Sequence, residues 1–339
     1  MRAYRVLSEM GPGSWAETEV PHARPHELVV RTVSAGLCRT DLELMDHGAQ
    51  YSPWIGPFTL GHETAGVVVE VGPGIAGTFA EGDAILVTSN TSCGHCRHCI
   101  AGRDNFCLQQ PSNYGYAADG GLAPFMRARA RDVVPLGDLD PLTAAPIADA
   151  GATAYGALLD VRPFLTDNGF TLVIGSGGVG GVLVRLLTLL TGTEVIAVDH
   201  PDRLDLARAA GAHHVVAAGA DAAQQIRDLT RGRGVDATID VVGIDDTLAL
   251  AAEVTSWLGA ISLVGLSGGS LPFGYGSQGR GARLFSSTTC SLGELRVLVE
   301  IFTRHKLEIP HQVYAFADIE PAYDDLRAGR VAGRALIQF

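Results

Sequence analysis

Four of the six cysteines, Cys93, Cys96, Cys99 and Cys107, fall within fifteen residues; the others are Cys38 and Cys290. The spacing C-x2-C-x2-C-x7-C lies on one short, glycine-punctuated segment. Four thiolates so placed can close a tetrahedron around zinc. Such a site carries excess negative charge and has no open position, so it is a poor Lewis acid and serves as a structural clip. In a reducing compartment this close spacing favours metal over disulfides. His95 and His98 sit between the cysteines. Because the thiolates already fill the site, both histidines are expected to face solvent.

A second set is dispersed. Cys38 stands in Gly36-Leu37-Cys38-Arg39-Thr40-Asp41, His62 in Gly61-His62-Glu63, and Asp149 in Ile147-Ala148-Asp149-Ala150-Gly151. Taken singly, each reads as an ordinary packed residue. Together, one thiolate, one imidazole and one carboxylate would leave a zinc ion neutral and three-coordinate, with a fourth position open.

The third candidate is Gly175-Ser176-Gly177-Gly178-Val179-Gly180, a G-x-G-x-x-G run between an apolar stretch and an apolar helix. These glycines permit a sharp turn and close approach of backbone to a pyrophosphate, and the helix N-terminus offers its N–H groups. Asp199, nineteen residues after Gly180, ends the next predicted strand, where a carboxylate can accept from an adenosine ribose. It would also repel a 2′-phosphate, and no arginine follows until Arg203. NAD is therefore expected over NADP.

The elements that must position these residues can be read from hydrophobic period and punctuation. The first third reads as strands, at 28–33, 66–71 and 84–87, with Gly and Pro between them. From residue 171 the pattern alternates: strand 171–174, helix 179–190, strand 195–198, helix 203–210, strand 215–216, helix 222–230, strand 237–241, helix 247–258, strand 261–264. A further strand at 283–287 makes six. Such alternation means a parallel sheet wrapped by helices. The tail offers a helix at 295–305 and a strand at 335–339. The glycine-rich stretch 267–281 is the best candidate for a mobile loop.

Composition narrows the partners. The 339 residues carry a formal net charge of -12, which argues against nucleic acid and anionic membranes. No signal peptide is read at the N-terminus, and the most apolar segment is broken by glycines and charges, so a cytoplasmic protein is expected.

Taken together, Cys38-Arg39-Thr40-Asp41, Gly61-His62-Glu63, the cysteine lobe and Gly175 to Gly180 resemble the zinc-dependent medium-chain dehydrogenase/reductase family over essentially the whole chain. The likeness is nearest to bacterial secondary-alcohol dehydrogenases, through Asp149, the segment Ala150 to Tyr155, and Gly333-Arg334-Ala335. It implies an α/β fold: a GroES-like β-rich catalytic domain (1–147, with the zinc lobe at 93–107, completed by 287–339) and a six-stranded Rossmann cofactor domain (148–286).

It further implies two zinc ions per subunit, with Cys38, His62 and Asp149 holding the catalytic one and Glu63 staying near the metal. Asp41 would orient the His62 ring. Arg39 and Arg334 match cofactor-contacting positions, Thr153 lies beside the nicotinamide, and Val242, Val264 and Leu266 match strand ends lining the same pocket. Thr40 would take the alcohol's proton and pass it to the cofactor ribose. Glu43 stands where many relatives carry a relaying histidine, and is read as a bystander or as a relay through water. Trp54, Tyr114, Tyr116, Cys290 and Leu292 fall near substrate-lining segments, and Leu292, in place of a large aromatic, suggests a wider pocket. The implied activity interconverts secondary or aryl alcohols and carbonyl compounds, in a homotetramer or homodimer. A polyol or aromatic primary-alcohol dehydrogenase is the alternative within the family; a zinc-ribbon binding protein is the alternative outside it.

Overall fold

The computed structural model describes residues 1–8, 11–48, 56–110, 112–272 and 274–339; Trp54 lies outside them. The chain forms two compact units, Met1–Asp149 with Ser291–Phe339, and Ala150–Cys290.

The first unit is built on strands. β1 (Arg2–Val6), β2 (Ser14–Glu17) and β4 (Phe58–Thr59) make a small sheet in the order β2-β1-β4. The larger sheet is organised by β3 (Glu27–Leu37), whose sequence ELVVRTVSAGL leaves only Arg31 exposed. A Val/Leu-rich strand buried on both faces has no need to alternate. β3 pairs antiparallel with β5 (Glu63–Val71) and with β7 (Phe125–Arg129); β6 (Ala84–Val87) and β8 (Val133–Pro135) extend the sheet beyond β5. Three helices accompany them: α1 (Arg39–His47), α2 (Arg97–Ile100) and α3 (Pro141–Ala144).

The second unit opens with α4 (Ala150–Val161) and continues β9 (Phe170–Ile174), α5 (Gly178–Leu190), β10 (Glu194–Asp199), α6 (Leu204–Ala210), β11 (His214–Ala217), α7 (Ala222–Leu229), β12 (Val235–Asp240), α8 (Asp245–Val254), β13 (Thr255–Leu263) and β14 (Arg283–Ser286). Its six strands are parallel in the order β11-β10-β9-β12-β13-β14. Strand order therefore reverses between β9 and β12, the switch point at which doubly wound sheets bind dinucleotides. The core on one face of this sheet includes Leu172, Ile174, Ile196, Val198, Ile226 and Ile261.

The chain then returns to the first unit through α9 (Leu292–His305), β15 (His311–Ala315), α10 (Ile319–Arg327) and β16 (Arg334–Gln338). β16 pairs antiparallel with β3, so the last residues complete the first sheet. The α9 N-terminus is doubly capped. Ser291 and Glu294 form a reciprocal capping box, and the Asp104 carboxylate accepts from Leu292 N at 3.2 and 3.3 Å.

Three expectations from sequence need correction. The helix expected at 247–258 stops at Val254, and Thr255 to Leu258 open β13. β-Branched and aromatic residues there favour extended backbone, and Leu258 takes a positive φ of 63°. Helix 203–210 begins as a 3-10 turn at Pro201–Arg203. The short strand readings 28–33 and 66–71 fall short, because β3 runs on to Leu37 and β5 starts at Glu63, which carries both strands up to the site residues. Among the described residues, no helix is long and apolar enough to cross a membrane.

Candidate metal and dinucleotide sites

Cys38 follows the last residue of β3 and is the N-cap of α1; His62 directly precedes β5; Asp149 precedes α4. The pairing of β3 with β5 brings the first two together. Gly36 lies opposite Glu63 in that register, and a Cβ there would overlap the Glu63 carboxylate, so glycine makes room for it. Single ligand atoms of Cys38, His62, Glu63 and Asp149 all lie within 4.8 Å of one another, with three of the four residues buried.

Asp41 ties this cluster to its helix. Its Oδ2 accepts from Cys38 N at 2.9 Å, and its Oδ1 lies 3.0 Å from His62 Nδ1. With Nδ1 engaged as donor, the His62 Nε2 lone pair points toward the other ligands. Nε2 is buried, has no hydrogen bond, and lies 3.6 Å from Asp149 Oδ2. Tyr116 stacks on the other side of the ring with centroids 4.7 Å apart. Thr40 Oγ1 is 3.6 Å from Cys38 Sγ, within reach for a sulfur hydrogen bond.

Arg334 provides the positive charge of the cluster. It is 6% exposed; its Nε donates to Glu63 Oε2 at 3.3 Å, its Nη2 is ion-paired with Glu63 Oε1, and the same nitrogen is 3.5 Å from Asp149 Oδ2. The Nη2–Oε1 pair lacks standard hydrogen-bond geometry, but the two atoms are charge partners and neither is orphaned. Arg334 thus holds Glu63 by two contacts and Asp149 by one.

The electrostatics fit a cation. Burial pushes the Cys38 thiol up, but the nearby Arg334 charge and His62 outweigh it and the net shift is downward. Burial disfavours charge on His62, yet Tyr116, Asp41 and Asp149 raise its pKa well above the usual 6.5. The site thus draws positive charge to the position that Nε2 faces. One soft thiolate, one imidazole and one carboxylate are a donor set suited to zinc.

The lobe is a different site. Cys93, Cys96, Cys99 and Cys107 bring their sulfurs within 4.8 Å of one another, with Cys96 and Cys99 at 3.5 Å and Cys93 and Cys99 at 3.9 Å. Backbone N–H groups of Cys96 and Gln109 point at Cys93 and Cys107 sulfurs at 3.3 and 3.4 Å. Such bonds hold Cys96 down at about 6, through the N–H groups of Cys99 and Leu108, while burial and neighbouring thiols push Cys99 up to about 11. Crowded thiols that resist joint ionisation are what a divalent cation relieves. His95 is exposed, with its ring nitrogens 3.0 Å from Cys93 O and from Gln109 Oε1, and His98 receives a bond from Arg97 Nε; neither belongs to the sulfur cluster.

In the second unit, Gly175 has φ +93°, and a Cβ at Gly180 would collide with the Gly175 carbonyl oxygen. The turn from β9 into α5 is closed tightly enough that only glycine serves at either position. The Asp199 carboxylate accepts from Ser176 N at 2.6 Å and from His200 N at 2.7 Å, which holds it at the rim of the glycine turn. Gly177 is exposed, and Gly178 and Val179 begin α5. Arg203 is exposed in its 3-10 turn. Val242 follows β12, Val264 and Leu266 follow β13, and Thr153 is half-buried on α4. Cys290 is buried, its N–H donating to Ala152 O at 3.0 Å.

Arg39 is exposed, and Glu43 lies between it and His47, at 3.5 and 3.3 Å. Leu292 is half-buried at the start of α9. Tyr114 Oη accepts from Arg129 N and donates to Asp132, so it serves the β7 turn and not the His62 cluster. Sequence reasoning did not find the Arg334–Glu63 pair or the Asp104 cap; they join residues 271 and 188 positions apart, with no local spacing to mark them.

The family patterns for the alcohol dehydrogenase GroES-like domain and the zinc-binding dehydrogenase match residues 24–138 and 178–304. The chain is 31% identical over 332 residues to a D-arabinose 1-dehydrogenase (NADP(+)) of Saccharolobus solfataricus, covering 96% of this chain and 94% of that one. It is 30% identical over 334 residues to an NAD-dependent alcohol dehydrogenase of Sulfolobus acidocaldarius, covering 95% of each. Among solved structures, the alcohol dehydrogenase of the archaeon Aeropyrum pernix superposes with a TM-score of 0.92 at 32% identity over 100% of both chains. The chain therefore belongs to the zinc-dependent medium-chain dehydrogenase/reductase family. Its fold is the GroES-like domain joined to a six-stranded Rossmann domain, and the zinc-ribbon reading gives way.

Proposed function

We propose that this chain is an NAD-linked, zinc-dependent alcohol dehydrogenase that interconverts secondary or aryl alcohols and the corresponding carbonyl compounds. The carrying observation is the convergence of buried Cys38 and His62 with half-buried Asp149 around an imidazole nitrogen without a hydrogen bond. When bound, zinc lowers the pKa of an alcohol hydroxyl as a Lewis acid, and NAD takes up the hydride.

The chain's own residues do the rest. Cys38, His62 and Asp149 would hold the metal; Asp41 fixes the ring and tautomer of His62; Arg334 restrains Glu63 from joining them. Thr40, beside Cys38, takes the proton that the alcohol releases. Glu43, engaged by Arg39 and His47, stands outside this step. The glycine turn seats the pyrophosphate, Asp199 selects NAD by accepting from the ribose hydroxyls, and the cysteine lobe holds a second, structural zinc. The free lobe thiols suit a reducing cytoplasm.

A polyol or sugar substrate is the second reading, favoured by the likeness to the D-arabinose dehydrogenase. A panel of 2-alkanols, 1-phenylethanol, benzyl alcohol, sorbitol and D-arabinose, assayed with NAD and NADP alongside elemental zinc analysis, separates the readings. Turnover of 1-phenylethanol with NAD and two zinc ions per chain is expected. No alcohol turnover by zinc-replete protein would refute the proposal.

A further inference from the structure

Asp41 is fully buried on α1 and serves two donors at once, Cys38 N and His62 Nδ1. A carboxylate offers about four acceptor positions, so each Asp41 oxygen keeps one unfilled. Helix α10 packs on α1, and its Tyr323 shares a core with Leu42, Leu44 and Met45. The Tyr323 ring stacks on Tyr4 with centroids 5.8 Å apart and planes 27° apart, while its hydroxyl oxygen is buried and has no hydrogen bond of standard geometry. A buried hydroxyl without a partner is rare in a well-packed core.

We propose that Tyr323 is a positioning residue of the metal site: its hydroxyl donates to Asp41, and so steadies the carboxylate that orients His62. Burial, followed by the Asp41 charge, pushes the Tyr323 hydroxyl well above its usual value, so it remains a proton donor throughout the working pH range. With a third donor, Asp41 pulls less on the His62 Nδ1 proton and is held against rotation. Both effects reach the metal through His62 Nε2, the first by setting the nitrogen's donor strength and the second by fixing its direction. Tyr4 serves as an internal control, since burial and then the Glu320 and Asp324 charges raise its hydroxyl to about 12, with no contribution from Asp41.

This inference rests on the assignment of Cys38, His62 and Asp149 as metal ligands. The experiment follows zinc release from full-length protein to a chromogenic chelator, the phase absent from Cys38→Ser marking this site. Tyr323→Phe is expected to release that zinc about three- to tenfold faster, less than the ~10–100-fold typical of losing a direct partner. Its cobalt-substituted form should show a shifted ligand-field band. Tyr4→Phe should match wild type, and in an Asp41→Asn background the Tyr323→Phe effect should vanish. If Tyr323→Phe releases zinc and absorbs as wild type does, or accelerates release equally in the Asp41→Asn background, the inference is overturned while the ligand assignment stands. If wild type has no phase that Cys38→Ser removes, the ligand assignment fails and takes this inference with it.

Discussion

Replacing Arg334 by Met removes the cation that Glu63 and Asp149 share. Glu63 is 0% exposed and Arg334 6%, so water cannot take over the solvation of the orphaned carboxylate. Breaking a buried pair by deleting one partner costs about 3–5 kcal/mol, most of it the desolvation of the remaining charge. The metal-free chain should therefore lose about that much unfolding free energy in Arg334→Met, read as a lower denaturant midpoint. Arg334→Met with Glu63→Gln removes both charges and should recover much of the loss, giving a coupling energy of about 2–3 kcal/mol in a double-mutant cycle. In zinc-loaded protein, the released Glu63 carboxylate would stand beside Cys38, His62 and Asp149 as a competing donor. Turnover should then fall in Arg334→Met and partly return in the double variant. Additive effects of the two substitutions on stability, within about 0.5 kcal/mol, would refute the reasoning, because they would mean that Glu63 and Arg334 do not depend on each other.

Other consequences can be checked directly. The His62 pKa is raised above 6.5 in the metal-free fold, so its contribution to stability is full below 6.5 and is lost as pH rises through the elevated value. Metal-free protein should therefore soften toward alkaline pH. Zinc competes with the same protons and binds more tightly as pH rises, so a pH-stat should record proton release on zinc titration. Cys107→Ser should cut bound zinc from two to one per chain by elemental analysis and lower the thermal midpoint while leaving the Cys38 site filled. Asp199→Gly with His200→Arg should shift the ratio of kcat/KM values toward NADP; an unchanged ratio would remove Asp199 from cofactor selection.

The second unit was largely legible in the sequence because each of its elements has a local cause. Apolar runs such as Phe170–Ile174 are strands buried on both faces, glycine spacing announces the turn into α5, and the first unit's lobe is likewise marked by cysteines close in sequence. The misreading at Thr255–Leu258 arose because the apolar pattern of α8 continues across the boundary, and only the backbone reversal at Leu258 distinguishes strand from helix. The dispersed metal set was suggested by its donor chemistry and given its role by a family likeness, since Cys38, His62 and Asp149 have no mutual spacing. Their convergence depends on the register of β3 against β5, and register is a tertiary property. Helix α10 was not read from the sequence, although Pro321 in its first turn costs no hydrogen bond. With α10 went Tyr323; the strand at 335–339 was read, but not its pairing with β3, which brings Arg334 to Glu63.

The bond from Asp104 to Leu292 gives the cysteine lobe a reach beyond its own loop. The two residues are 188 positions apart, and every residue of Ala150–Cys290 lies between them. A metal held by the four thiols would therefore also steady the helix on which the chain resumes its first unit. Stripping the lobe of metal would loosen that hold, so damage to four thiols at one edge would surface as fraying at the start of α9. Hydrogen exchange at the amides of Leu292 and Glu294 would be the place to see it.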